Sequence, residues 1–480
     1  MKLRKTIALG LAVAMTLTAM GCGNKEEAPT EAEKTETTAE TTETTETETT
    51  ETETTEETGV PGYASINVGT DYQELTASIK WTTHRTDRGE DGTLDKIVAE
   101  FNKVYPNITV EVEAIPDFAE EALLRLSSGD YADLMAIPAI DKAEYANYFM
   151  PLDTFENMDS EINFASQTEY DGYTYGVPYM ANAQGVVYNK AVFEAAGITE
   201  LPKTPTEFIA ALQAIKDNTD AIPLYTNYAA GWTMGAWDAY LGCVSNGDDT
   251  YLNQKFVHTA NPFADNGDET GAYALYKILY DAVAGGLIED DYSTTDWEGC
   301  KGMINNGKIG CMVLGSWAFS QMVEAGEHGD DIGYMPFPIT VNGVQSALAG
   351  GDYATAINVN SSDENKTASL VFLKWLTEES GWCYQEGGYM VDKEGENPAM
   401  YAAFDGCNVL SDKPALEGEA DFLNQMNAES ELSFNAEGNF KVQKIVEAAS
   451  TGSETYDEIM AEWTEAWNAA QEELGIEVLY

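Results

Sequence analysis

Enzymatic chemistry needs particular residue types at particular spacings, and this chain lacks most of them. Its three histidines, His84, His258 and His328, lie far apart with no H-E-x-x-H among them. No G-x-S-x-G, Walker A or G-x-G-x-x-G element occurs either. The run Asp87 to Gly92 (DRGEDG) has the acidic rhythm of a calcium loop, but its twelfth position is Val98, where a bidentate glutamate would close the site. The acids of DNGDE, Asp265 to Glu269, read as a solvated turn. Carboxylates suited to glycoside hydrolysis are plentiful, yet no spacing singles out a pair. The expectation is no catalytic residue, no metal and no cofactor.

The aromatic residues are more informative. Nine Trp and 26 Tyr are present, and several sit in small, polar surroundings: Ala230-Gly231-Trp232, Gly315-Ser316-Trp317, Gly351-Asp352-Tyr353 and Gly388-Tyr389. A flat ring after Gly and Ser at the end of a strand can face a cleft. Ring faces suit the CH-rich faces of sugars, while nearby amides and carboxylates satisfy the hydroxyls. A second signal is YGVPYMANAQGVVYNKAVF, Tyr175 to Phe193, where a strand is interrupted by small residues and the amides Asn182 and Gln184.

The elements that would carry these residues alternate between strand and helix. Leu75–Trp81, Ile108–Ile115 and Leu134–Ile137 read as strands, while Leu94–Val104 and Phe118–Leu126 have helical spacing. Farther on, Thr206–Ile215, Gly271–Ala284 and Thr367–Glu378 read as helices and Lys308–Leu314 as a strand, and Asn439–Leu474 is mainly helical. This pattern predicts an α/β protein with largely parallel sheets. The folded part, from about Gly62 onward, is long enough for two domains.

The N-terminus reads differently. Residues 1–21 have a basic start, an apolar run from Ile7 to Met20 and small residues before Cys22, the layout of a signal peptide. Ala19-Met20-Gly21-Cys22 resembles the lipobox of bacterial lipoproteins, which implies acylation of Cys22 and a membrane anchor on the extracytoplasmic face. Lys25 to Thr58 holds 13 Glu against 2 Lys, with Thr and Ala filling most of the rest. Its low hydrophobicity and like charge predict a disordered tether over residues 22–61. The full chain carries a net charge of −57, which disfavours nucleic acid as a partner because phosphate contacts need clustered Lys and Arg. Five further cysteines, Cys243, Cys300, Cys311, Cys383 and Cys407, are odd in number and widely spaced, so mostly free thiols are expected.

Taken in order, these segments carry a family resemblance: IKWTTHRTD, IVAEFNKVYPNITVEV, LRLSSGDYADLMAI, EYANYFMPLDTF, DGYTYGVPYMANAQGVVYNKAVFEAAGITELPKTPTEF, NNGKIGCMVLGSWAFSQM, IGYMPFPI and GGDYATAINVNSSDENKTASLVFLKWLT. They are similar to the family 1 extracellular solute-binding proteins of bacterial ABC importers, of the maltodextrin and oligosaccharide type. The long central block is the most specific. Pro205 stands where the family prefers Trp.

The resemblance implies a type II periplasmic-binding-protein-like fold: two lobes, each a mostly parallel sheet flanked by helices, joined by crossing hinge segments. Lobe 1 would comprise residues 62–181 and 355–405, and lobe 2 residues 184–350 and 410–480. Crossings are expected near Met180–Gly185, Ala349–Ala354 and Phe404–Ser411. The same resemblance places Thr83, His84, Arg85, Thr86 and Asp141 on the first lobe's rim, with His84 as a neutral hydrogen-bond donor. It places Asn182 at the first crossing, Tyr228, Trp232 and Trp317 on the second lobe, and Asp352 and Tyr353 at the second crossing. Trp237 and Asp238 fit helix packing better.

The implied protein is a monomeric, lipid-anchored receptor that captures a mono- or oligosaccharide and hands it to the transmembrane subunits of an ABC permease. Three other readings remain at this point. One is a binding protein for a polyamine, metal complex or glycerol phosphate, and another is a secreted carbohydrate-active enzyme. The third is a surface interaction or sensor protein.

Overall fold

In the first strand the apolar side chains alternate with polar ones, and the helix after it repeats apolar residues every three to four positions. The computed structural model turns these patterns into β1 (Ala77–Thr83) and α1 (Thr93–Val104), with Ile79 and Trp81 buried from the strand and Leu94, Ile97 and Phe101 from the helix. It describes residues 59–480 apart from 117, 139, 417 and 435–439. The signal segment 1–21, Cys22, the Thr/Glu-rich stretch through Thr58 and the first residue of the expected helical tail, Asn439, therefore lie outside the described residues.

The chain continues through β2 (Ile108–Ala114), α2 (Phe118–Ser128), β3 (Leu134–Ala136) and β4 (Gly176–Pro178), then enters the long β5 (Ala181–Asn189). After it come α3 (Pro205–Asn218), β6 (Ile222–Leu224), α4 (Gly271–Ala284), α5 (Trp297–Asn305), β7 (Ile309–Gly315), α6 (Trp317–Glu324) and β8 (Ile332–Met335). The last group is β9 (Val344–Gly351), β10 (Ala354–Ile357), α7 (Asp363–Glu378), β11 (Asn408–Leu410), α8 (Phe440–Thr451) and α9 (Tyr456–Leu474). Helix ends follow local chemistry. Thr204 caps α3 ahead of Pro205, and Thr455 and Glu458 form a capping box on α9, which Gly475 ends in the left-handed conformation.

Two sheets result. The first runs β2-β1-β3-β10-β4; the second is built around β5, with β9 and β8 along one edge and β7 then β6 along the other. Apolar cores lie against both. One joins β1, α1 and α7, where Trp81 meets Phe372 edge-on at 5.3 Å. Another gathers α3, α4, α8 and α9 on the second sheet.

The sheets are mixed rather than largely parallel, which corrects the expectation. In the first, β1 pairs parallel with β2 and β3, but β10 is antiparallel to both β3 and β4. In the second, β5 is antiparallel to β7, β8 and β9. The reason is connectivity. Helical crossovers feed parallel strands, whereas β4–β5 leaves the first sheet for the second and β9–β10 comes back, so the two passages run in opposite directions. Each passage is short, Tyr179–Met180 on the way out and Asp352–Tyr353 on the return. Farther on, Phe404 stacks on Tyr334 of β8 at 5.5 Å and Tyr401 meets the same ring at 6.0 Å.

The five described cysteines are free, four of them buried. Among the described residues, no helix is long and apolar enough to cross a membrane.

Candidate functional site

Where β5 begins, just past the first sheet, its alternation sorts small from polar. Ala181 and Ala183 are fully buried, while Asn182 and Gln184, alternating with them, stay half-buried on the other face. Residues directly opposite in an antiparallel pair share a face, so register places Gly350 of β9 beside Asn182 and Gly315 of β7 beside Gln184. Asn182, Gln184 and Gly350 line a cavity of about 880 Å³ that also takes in Lys142, Gln167 and Asp352, and Asp249, Asp412 and Lys413. Ser316 ties the floor together: its hydroxyl donates toward Asn182 Oδ1 at 3.3 Å and accepts from the Ala183 N–H at 3.0 Å.

Beside this floor stands an aromatic wall. Trp317 opens α6 immediately after β7, and its ring lies over Gly315, where any side chain would collide with it. Trp232 and Trp297 complete a cluster with centroids 5.1 Å apart, each within 5.8 Å of Trp317. Trp232 is 43% exposed, an unusual state for so large an apolar ring. Lys301 Nζ covers Trp297 at 5.0 Å.

The opposite rim comes from the loop after β1 and from the return passage. His84 lies against Tyr353 (4.7 Å) and, more distantly, Phe118 (6.1 Å), with its Nε2 3.6 Å from Asp352 Oδ2. Burial opposes a charge on Asp352, but His84 and the Tyr353 N–H outweigh it and hold the carboxyl below the usual aspartate range. Gln167 Nε2 donates to the Asp352 carbonyl at 3.1 Å, fixing that passage against the first sheet's side.

Of the expected site residues, the structure brings His84, Asn182, Asp352 and Tyr353 together around the floor, with Trp232 and Trp317 on the wall. Others have different partners. Thr83 is 1% exposed and shares a hydrogen bond with the Tyr179 hydroxyl. Arg85 is paired with Asp87 and Glu386, each at 2.8 Å, and stacks on Trp382 at 5.4 Å. Thr86 begins a one-turn helix. Asp141 accepts from the Ala143 N–H as a helix cap, and Tyr228 packs on Tyr292 while donating to Glu447. Trp237 and Asp238 are buried, and Asp238 pairs with Lys441 and accepts from Tyr276.

Sequence reasoning left out Gln184 as a site residue, although period-2 spacing on one strand puts it on the same face as Asn182. Gly350, Gln167 and Trp297 were also missed. Trp297, the first residue of a helix after Asp296, carries no local mark of its surroundings.

The chain has clear relatives. The family model described as bacterial extracellular solute-binding protein matches residues 86–381. The "Multiple sugar-binding protein" of Streptococcus mutans is 26% identical over 298 residues, covering 60% of this chain and 68% of that protein. Among solved structures, a manno-oligosaccharide-specific solute-binding protein (BlMnBP2) of Bifidobacterium animalis subsp. lactis, in complex with mannotriose, is 47% identical. The match covers 86% of this chain and 99% of that one, with a TM-score of 0.73. The ABC-transporter binding protein BlMnBP1 of the same organism, in complex with mannobiose, is 46% identical over the same shares, also at 0.73.

Proposed function

The chain belongs to the bacterial extracellular solute-binding proteins, a family of binding proteins rather than enzymes, and we propose that it captures a manno-oligosaccharide for import. The observation that carries this reading is a tryptophan cluster, its Trp232 exposed, whose Trp317 ring lies over Gly315 next to Gln184 of the amide floor. The rings would stack on the CH faces of successive pyranoses, and Asn182, Gln184, His84 and Asp352 would exchange hydrogen bonds with the hydroxyls. The near-half identity to two proteins solved with mannotriose and mannobiose supports that choice of sugar.

The two sheets would act as lobes that close on the ligand about Tyr179–Met180 and Asp352–Tyr353. We place the third passage between Val391, which packs in the first sheet's core, and Tyr401, upstream of Phe404–Ser411. Closure makes and breaks no bond. It raises affinity by burying the sugar on both sides and marks the loaded state for a partner. That partner would be the transmembrane part of an ABC permease. Acylation at Cys22 would hold the receptor at the membrane, with the Thr/Glu-rich segment as its tether.

A ligand that binds only the folded state adds about 2.7 kcal/mol at one hundred times its Kd. The expected result is that mannobiose and mannotriose raise the unfolding temperature while spermidine and glycerol phosphate leave it unchanged. A shift with either of those two and none with any sugar would overturn the assignment.

A further inference from the structure

Gly350 has no structural reason to be glycine. Its φ lies outside the left-handed region, and a Cβ built on it meets nothing within 4 Å. Its neighbours differ: a side chain at Gly351 would press into Pro178 and Gln167, and one at Gly315 would strike Trp317. Glycine inside a strand is destabilising by roughly 0.5–1 kcal/mol relative to alanine, and neither backbone nor packing requires it here. What its missing side chain preserves is the empty space of the cavity beside Asn182.

That space lies beyond the reach of one sugar ring stacked on the wall. β7, β5 and β9 run side by side, so Gly315 under the Trp317 ring and Gly350 are two strand spacings, about 10 Å, apart across the sheet. The charged groups around Gly350 already have partners: Asp352 faces His84, Asp412 accepts from the Cys243 N–H and Glu169 from the Gly172 N–H. Lys142 Nζ is held by the carbonyls of Ser166 and Glu169, and Lys413 Nζ is 3.2 Å from Asp249 Oδ2. The side-chain amide of Gln184 and the hydroxyl of Ser166 have no hydrogen-bond partner among the described residues and face the same cavity.

We propose that the cavity around Gly350 is a separate compartment for the sugar units farthest from the tryptophans. Its bare floor then sets the length of uncharged oligosaccharide the cleft accepts. This rests on the manno-oligosaccharide reading above and adds to it a length preference and the residue that enforces it.

The test is calorimetric titration of wild type and Gly350→Val with mannobiose, mannotriose and mannotetraose, alongside thermal unfolding without ligand. Valine is favoured in strands and has room here, so the variant unfolds no lower than wild type. Wild type gains affinity from the disaccharide to the trisaccharide. Gly350→Val loses at least tenfold on the tri- and tetrasaccharide and stays within twofold on mannobiose. A uniform loss across the series, no loss at all, or a wild type indifferent to length overturns the compartment while leaving the sugar assignment intact. Failure of wild type to bind any of the three overturns the assignment, and the compartment with it.

Discussion

Trp317→Ala removes the ring that joins the wall to the floor, and its effect on binding can be sized. A tryptophan carries roughly 150–250 Å² of buriable surface. Trp232, Trp297 and Gly315 already cover part of Trp317, which leaves about 80 Å² for a ligand, worth about 2 kcal/mol at ~25 cal/mol/Å². That is about thirtyfold in Kd, since each 1.4 kcal/mol is roughly a factor of ten. Titration calorimetry with mannotriose reads the change directly. The control is Trp237→Ala. That ring is 2% exposed and packs edge-on to Phe337 at 5.8 Å, so its loss should destabilise the fold by about 3–5 kcal/mol and leave the affinity of folded protein unchanged. A Trp317→Ala protein that unfolds normally and binds within threefold of wild type would refute the reasoning.

Three other outcomes are expected. Burial, together with the charges of Asp249 and Asp248, pushes the Asp412 carboxyl up to about 6, although the Cys243 N–H donates to it. The folded chain then holds a proton that the unfolded carboxyl releases near 3.9, so this group's contribution to stability falls as pH rises from about 4 to 6 and stays low above that. Asp412→Asn, which keeps the neutral form, should raise the unfolding midpoint at pH 7.5 with no gain at pH 4; an equal gain at both would count against it. Lys441 and Asp238 form an ion pair, both side chains under 5% exposed. Lys441→Met should lower stability by about 3–5 kcal/mol in a denaturant melt, and a loss below ~1 kcal/mol would contradict this. Finally, Cys22→Ser should move the protein from the membrane fraction to the medium, and unchanged sedimentation with membranes would remove the lipid anchor.

Much of the scaffold was legible because local periodicity writes it. The helix at Gly271–Ala284 has the bounds its apolar spacing predicts, and ITVEVEA at Ile108–Ala114 shows a strand's alternation in its polar residues. Asn182 and Gln184, two apart, mark a strand with a polar face before any pairing is known. What stayed hidden depends on distant partners. The direction of β10 relative to β3 follows from where the chain has been in between. Arg85 looked free to meet a ligand because Glu386, which claims it, lies 301 residues away. Trp297 joins the wall only through the placement of α5 against α6. Gly350 and Gly351 are adjacent and chemically identical, and only the packing around each separates a glycine required by its neighbours from one kept for an open cavity.

The position of β10 also bears on how the chain reaches its native state. It sits between β3 and β4, with Phe372 of α7 packing on Trp81 behind the sheet. A nascent chain that has delivered β4 at residue 178 therefore holds a first sheet with an inner strand missing until residue 357 appears. At 5–20 residues per second, that wait is roughly 10–35 s. The contacts that end it are among the most non-local in the fold and so among the slowest to form. Until then the facing edges of β3 and β4 have no strand between them, and the first sheet stays incomplete. For a member of an extracellular family, that interval is time in which the polypeptide can still be threaded through a membrane pore.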